Sequence, residues 1–199
     1  MALRPLGETD RRTRRPARVL DGTAQDYRAQ IVQHLASRGM APHAALFAEA
    51  NVLPEAIQWF TSLNGPIETL DTLSPERRAE TLDRVRTLVE EVEAEAERLR
   101  ADRAQAMRAL GDLLATALEG ASLADLRLVG GEPVLAGWGL RAVENAAPLP
   151  ALKGQLVRAA APVRATPPPV SVEPAPVAVA EAPPPTRWPL GLLGLVALL

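Results

Sequence analysis

The longest periodic pattern of the chain lies between residues 75 and 119, where apolar residues recur at steps of three and four. Ser74 and Pro75 suit the N-cap and first position of a helix, because the hydroxyl accepts a backbone hydrogen bond and proline needs none there. The pattern predicts one long, coiled-coil-like helix over about residues 75–119. Its heptad seam begins with Leu82, Val85, Val89, Val92, Ala96 and Leu99.

Two arrangements of this helix are open. As one rod it would span roughly 65 Å at about 1.5 Å per residue, which would keep the segments at its two ends apart. If the chain folds back near Arg100-Ala101-Asp102, those segments can share one domain. No glycine or proline marks a turn there, so we favour the continuous helix, with a weak homodimer formed through its seam.

Shorter patterns surround the long helix. Tyr27, Ile31 and Leu35 are spaced by four, which predicts a short helix from residue 23 to about residue 37 that stops at Arg38-Gly39. Strand-like runs at residues 44–48 and 56–61 predict a first β-hairpin.

A second hairpin is predicted where Gly130-Gly131 separates residues 126–129 from residues 133–140, because glycine supplies the positive φ of a tight turn. The glycines do not predict a phosphate-binding loop, since no helix and no Lys-Ser/Thr pair follow them. The predicted fold class is α+β, with two hairpins flanking the long helix, in a domain over residues 23–145.

Both ends of the chain differ from this domain in composition. Residues 1–22 are rich in arginine and proline and are predicted to form a disordered basic tail. Residues 146–187 predict a proline- and alanine-rich linker. Residues 188–199 are twelve residues without a charged or polar side chain. About 20 apolar residues cross a bilayer, and twelve reach only roughly 18 Å. Residues 188–199 therefore predict the start of a transmembrane helix that continues beyond residue 199.

Composition excludes several classes of function. The net charge is −2 and aromatic residues make up 3% of the chain, which argues against nucleic-acid binding. The alternative, a basic arm for anionic lipid or nucleic acid, depends on five of the six arginines in the first 22 residues: Arg11, Arg12, Arg14, Arg15 and Arg18. Without cysteine there is no disulfide and no thiolate chemistry.

Candidate catalytic groups are few. His34 and His43 are the only histidines, too few for a metal site without several carboxylates. The acids Glu49, Glu55 and Asp125 could face a groove, yet none has a histidine or nucleophile at useful spacing. We therefore expect no catalytic, metal or cofactor site, and no enzyme.

A set of short motifs resembles a known family. They occur in order at residues 57–60, 65–66, 73–78, 128–135 and 138–139: Ile-Gln-Trp-Phe, Gly-Pro, Leu-Ser-Pro-Glu-Arg-Arg, Leu-Val-Gly-Gly-Glu-Pro-Val-Leu and Trp-Gly. Over roughly residues 44–140 the chain is similar to the bacterial SrfA family of virulence-associated proteins. The resemblance implies a membrane-associated, non-enzymatic component with SrfB- and SrfC-like partners.

Two functions fit these observations. The first is a single-pass protein of the bacterial inner membrane, whose cytoplasmic N-terminal domain scaffolds protein partners. Arginines on the amino-terminal side of the apolar run, among them Arg187, place that side in the cytoplasm. The second is a transmembrane signalling regulator of the anti-sigma type, whose cytoplasmic domain binds a regulator. No sigma-binding helical motif is present in residues 23–140, so we prefer the first.

Overall fold

A computed structural model describes residues 2–144 and 152–160 and has the predicted α+β class. Five α-helices lie in this part of the chain: α1 (Arg28–Ser37), α2 (Ala41–Ala45), α3 (Pro75–Arg100), α4 (Gln105–Glu119) and α5 (Leu152–Ala160). Ten short strands accompany them: β1 (Arg4–Asp10), β2 (Arg14–Pro16), β3 (Arg18–Val19), β4 (Gly22–Thr23), β5 (Glu49–Val52), β6 (Ala56–Thr61), β7 (Ile67–Glu68), β8 (Leu126–Val129), β9 (Glu132–Leu135) and β10 (Leu140–Ala142).

The prediction of a disordered tail over residues 1–22 is wrong. β1 pairs antiparallel with β6, from Arg4 opposite Thr61 to Asp10 opposite Ala56. β2 pairs with β10, and β3 pairs with β4. The β1–β6 and β2–β10 pairings join segments that are far apart in sequence. Neither the composition nor the periodicity of residues 1–22 therefore predicts these two pairings.

The first hairpin is shifted from its predicted place. Residues 44–48 do not form a strand; α2 covers the first two of them, because Pro42 near its start and three alanines favour a helical turn. The hairpin instead consists of β5 and β6, with Val52 opposite Ile57. β6 matches the predicted strand and is central in the antiparallel sheet β1-β6-β5.

The long helix folds back, so the continuous rod is wrong. α3 ends at Arg100 and α4 begins at Gln105, and the two helices pack along each other. Asp102 marks the turn: its Oδ1 accepts a hydrogen bond of 2.8 Å from the Ala104 N–H. An aspartate can stabilise a turn in this way without glycine or proline.

The seam residues of α3 are buried within the chain's own core. Self-association through them would therefore require the domain to open. The start of α3 follows the prediction, since the Ser74 hydroxyl accepts a hydrogen bond from the Arg77 N–H and Pro75 is the first helical residue.

Two other predicted elements are confirmed. The short helix is α1, preceded by a 3₁₀ turn at Ala24–Tyr27 and followed by Gly39 at φ +76°. The second hairpin is β8-β9, with Gly130 at φ +62° and Gly131 at φ +87° in its turn. β7 extends it to the three-stranded sheet β7-β8-β9.

Part of the predicted linker is helical. α5 lies within residues 146–187 and packs against α3, because Leu152 and Leu156 form an apolar stripe at a spacing of four that is 2% and 1% exposed. Residues 161–187 and the apolar residues 188–199 lie outside the described part. Within residues 2–144 and 152–160, no helix combines the length and apolarity needed to cross a bilayer.

Three aromatic residues occupy the centre of the core. Trp138 packs edge-on against Phe47 at a centroid distance of 5.4 Å and lies 6.3 Å from Trp59. Both indole N–H groups are satisfied: Trp138 donates to the Ala48 carbonyl and Trp59 to the Thr9 hydroxyl, each at 2.9 Å. The segment before α1 thus supplies a partner that the buried Trp59 needs.

Candidate functional site

His34 lies on α1 against a buried carboxylate of α3. Its Nε2 is 2.7 Å from Oε1 of Glu95, whose side chain is 7% exposed. Arg98 binds the same carboxylate through two hydrogen bonds of 2.7 Å, and Arg38 lies 3.7 Å away. The hydrogen bonds from Arg98 first, and then the one from His34, hold the pKa of Glu95 at about 2 even though burial acts in the opposite direction.

His43 makes the equivalent contact one turn earlier on α3. Its Nε2 is 2.5 Å from Oε2 of Glu91, while its Nδ1 is buried without a hydrogen-bond partner among the described residues. Glu91 and Glu95 are four residues apart and so project from the same face of α3. The two histidines therefore attach α1 and α2 to α3. No cluster of three potential metal ligands occurs in the described ranges.

The three candidate acids lie at different places. Glu49 begins β5, with its carboxylate 3.6 Å from Arg28. Asp125 forms a half-buried bidentate pair with Arg14, one of whose contacts measures 2.9 Å. This hydrogen bonding raises the pKa of Arg14. Glu55 lies in the β5–β6 turn. The fold does not bring the three acids into one site.

Glu55 instead borders a cluster of arginines. A cavity of about 230 Å³ is lined by Arg11, Arg12, Arg15, Pro54 and Glu55. The arginines come from the β1–β2 turn and from β2, in the segment predicted to be disordered. The sequence contained a local signal for the β1–β2 turn. Aspartate side chains often stabilise a turn by accepting a hydrogen bond from the backbone N–H two residues later, as Asp10 does from Arg12 at 2.7 Å.

A larger groove of about 460 Å³ lies between α3, α4 and α5. Its floor is apolar and includes Val89, Ala96, Leu118 and Leu152. Ion pairs form its rim, with Lys153 bound to Glu93 at 2.7 Å and Arg100 bound to Glu97 at 2.8 Å. The sequence did not predict this groove, because it exists only where α4 folds back and α5 returns to α3. Its chemistry suits contact with apolar side chains.

Comparison with known proteins gives no match: no family model, no curated protein and no solved structure is similar to the chain.

Proposed function

We propose that this chain is a non-catalytic interaction protein anchored in the bacterial inner membrane, with its folded domain in the cytoplasm. The observation that carries the proposal is the order of segments at its end. The amphipathic helix α5 closes against α3, the proline-rich residues 161–187 follow, and the twelve apolar residues 188–199 come last. Such a spacer, if extended at about 3.1 Å per residue, reaches up to roughly 80 Å.

The arrangement of ionisable groups supports a non-catalytic role. His34, His43, Glu49 and Asp125 each contact an ionisable side chain on another element, where they hold segments of the chain together. A general base must reach a substrate atom and converge with other catalytic groups. Turnover of any substrate that is abolished by one carboxylate substitution would overturn this part of the proposal.

Anchoring is tested by extracting membranes with alkaline carbonate from bacteria that produce the full-length protein. We expect the wild type to stay in the pellet, and Leu193→Arg/Val196→Arg to be released, because two charges make insertion of the apolar segment unfavourable. The matched control is Val177→Arg/Val179→Arg, which adds the same charges within the spacer and should stay in the pellet. Release of the wild type would refute the anchor.

Protein partners are the remaining part of the proposal. By the resemblance to the SrfA family, SrfB- and SrfC-like proteins are the first to test, by co-expression and co-purification from solubilised membranes. We expect them to be retained by the tagged chain and lost with a chain lacking residues 1–162. Retention of a sigma factor instead would favour the regulator of the anti-sigma type.

A further inference from the structure

Two turns meet at one end of the β1-β6-β5 sheet and form what we call the arginine tip. It consists of residues 11–13 between β1 and β2, Arg15 on β2, and residues 52–55 around the β5–β6 turn. Arg11 joins the two turns. Its backbone N–H donates to the Glu55 carbonyl at 3.0 Å, and its Nη1 donates to the carbonyls of Leu53 at 2.7 Å and Pro54 at 3.1 Å. Arg11 is thus a positioning residue for the tip.

The tip carries positive charge on exposed side chains. Arg12 is 81% exposed although it pairs with Asp10, and Arg15 is exposed with no ion pair to any described residue. Arg15 also lies directly opposite Arg141 in the β2-β10 ladder, and like charges in such a pair repel each other. The positive charges of Arg11, Arg12 and Arg15 exceed the negative charges of Asp10 and Glu55 by one. An anion bound at the tip would balance this net charge.

Exposed aliphatic side chains lie beside these arginines. Val52 is 40% exposed and Leu53 is 36% exposed, although both belong to the large hydrophobic residues that proteins usually bury. The three tryptophan and phenylalanine side chains of the core, Phe47, Trp59 and Trp138, are 0–1% exposed and cannot stack on bases. Aliphatic side chains flanked by cations match a bilayer of anionic lipids better than a nucleic acid.

We propose that the arginine tip is a docking surface for the anionic lipid bilayer to which the chain is anchored. Val52 and Leu53 enter the interfacial region, while Arg12 and Arg15 contact lipid phosphates. This inference rests on the proposed membrane anchor, because a tip with one net charge binds weakly by itself. Anchoring makes docking intramolecular, with a high effective concentration of lipid at the tip.

The test uses the 199-residue chain reconstituted into vesicles. The chain has no cysteine, so Val52→Cys provides a unique position for a dye whose emission increases in an apolar environment. Vesicles contain phosphatidylcholine alone, or phosphatidylcholine with about 30% phosphatidylglycerol. We expect brighter, blue-shifted emission only with the anionic lipid, and loss of this change at 0.5 M KCl, where charges are screened within about 4 Å. The same dye at Arg103→Cys, an exposed position in the α3–α4 turn, should not respond.

Charge variants in the Val52→Cys background test the named residues. Arg15→Gln should shift the docking equilibrium about fivefold towards the undocked state, the effect of one charge near an anionic surface. Glu55→Gln should shift it about fivefold the other way, a gain that misfolding cannot mimic. Arg103→Gln is the matched control and should leave the docking equilibrium unchanged.

Three results would overturn the docking surface. They are equal emission from Val52→Cys in neutral and anionic vesicles, an equal response at Arg103→Cys, and a response to a single-stranded oligonucleotide but not to phosphatidylglycerol. If the chain resists carbonate extraction while any of these occurs, docking fails and the anchor stands. If the chain is extracted by carbonate, the anchor itself fails.

Discussion

At the scale of single residues, Glu95 is the carboxylate that contacts the most nitrogen-bearing side chains in the described part of the chain. Its side chain is 7% exposed, and it contacts His34, Arg98 and Arg38. A buried carboxylate of this kind is stable only while its partners remain in place, since an unpaired buried charge is costly. Glu95 therefore links the end of α1 to α3.

We predict that Glu95 makes the domain sensitive to acid. Its pKa is about 2 in the folded state against an ordinary value of 4.5. Its contribution is therefore fully present above pH 4.5 and is lost as the pH falls towards 2. The difference between these two pKa values corresponds to about 3 kcal/mol of unfolding free energy. Urea titrations of the wild type and Glu95→Gln between pH 7 and pH 2 measure it.

The matched control for this experiment is Glu97→Gln on the same helix. Glu97 is 71% exposed and pairs with Arg100 at 2.8 Å, and exposed pairs contribute little. The difference in unfolding free energy between the wild type and Glu95→Gln should disappear at low pH. Glu97→Gln should have the same unfolding free energy as the wild type at every pH. A constant gap at all pH values would show that Glu95 acts through packing instead of charge.

At the scale of elements, the close crossing of α3 and α4 depends on Gly111. A Cβ at this buried position would lie 2.7 Å from the Ala96 carbonyl oxygen and 2.9 Å from the Arg100 backbone nitrogen. Those are backbone atoms, so they cannot move without displacing α3. Glycine is disfavoured inside helices, and here it permits two backbones to approach.

We predict opposite effects of alanine at two helical glycines. Gly111→Ala should lower the unfolding free energy by about 1–3 kcal/mol, because α3 and α4 must separate. Gly154→Ala in α5 should leave it unchanged or raise it by up to about 1 kcal/mol, since nothing lies within 4 Å of the added Cβ. Thermal unfolding followed by circular dichroism compares the two. A stabilising Gly111→Ala would contradict the observed crossing.

At the scale of the whole molecule, the folded part is larger than its composition indicates. It begins near residue 4, because β1 pairs along β6, and it includes α5 beyond the predicted boundary at residue 145. α5 also forms one wall of the α3–α4–α5 groove through Leu152 and Lys153. The end of the domain and the groove thus depend on the same helix.

Two adjacent positions of α5 test this boundary. Leu156 is 1% exposed and Val157 is 61% exposed. Leu156→Ala should lower the unfolding free energy by about 2–4 kcal/mol through loss of buried apolar contacts, whereas Val157→Ala should stay within about 0.5 kcal/mol of the wild type. Urea titration followed by tryptophan fluorescence measures both. Equal, small effects would mean that α5 is not part of the cooperative domain.

Features that depend on neighbours in sequence were determined by the sequence itself. The start of α3 at Ser74-Pro75, the end of α1 at Arg38-Gly39 and the turn at Gly130-Gly131 all follow from local hydrogen bonding and backbone freedom. The α+β class follows from the same local patterns. The apolar run at residues 188–199 is also a property of the sequence, and its membrane role is a prediction that the anchoring experiment addresses.

The tertiary structure decided what depends on distant partners. The basic segment became β1 and β2 because β6 and β10 offer unpaired edges to it. The long helix folds at Asp102 because α3 and α4 bury their apolar faces against one core. The arginine tip, the groove and both histidine–glutamate pairs join residues from separate elements. Their positions are set by long-range packing, which a one-dimensional pattern of residues does not encode.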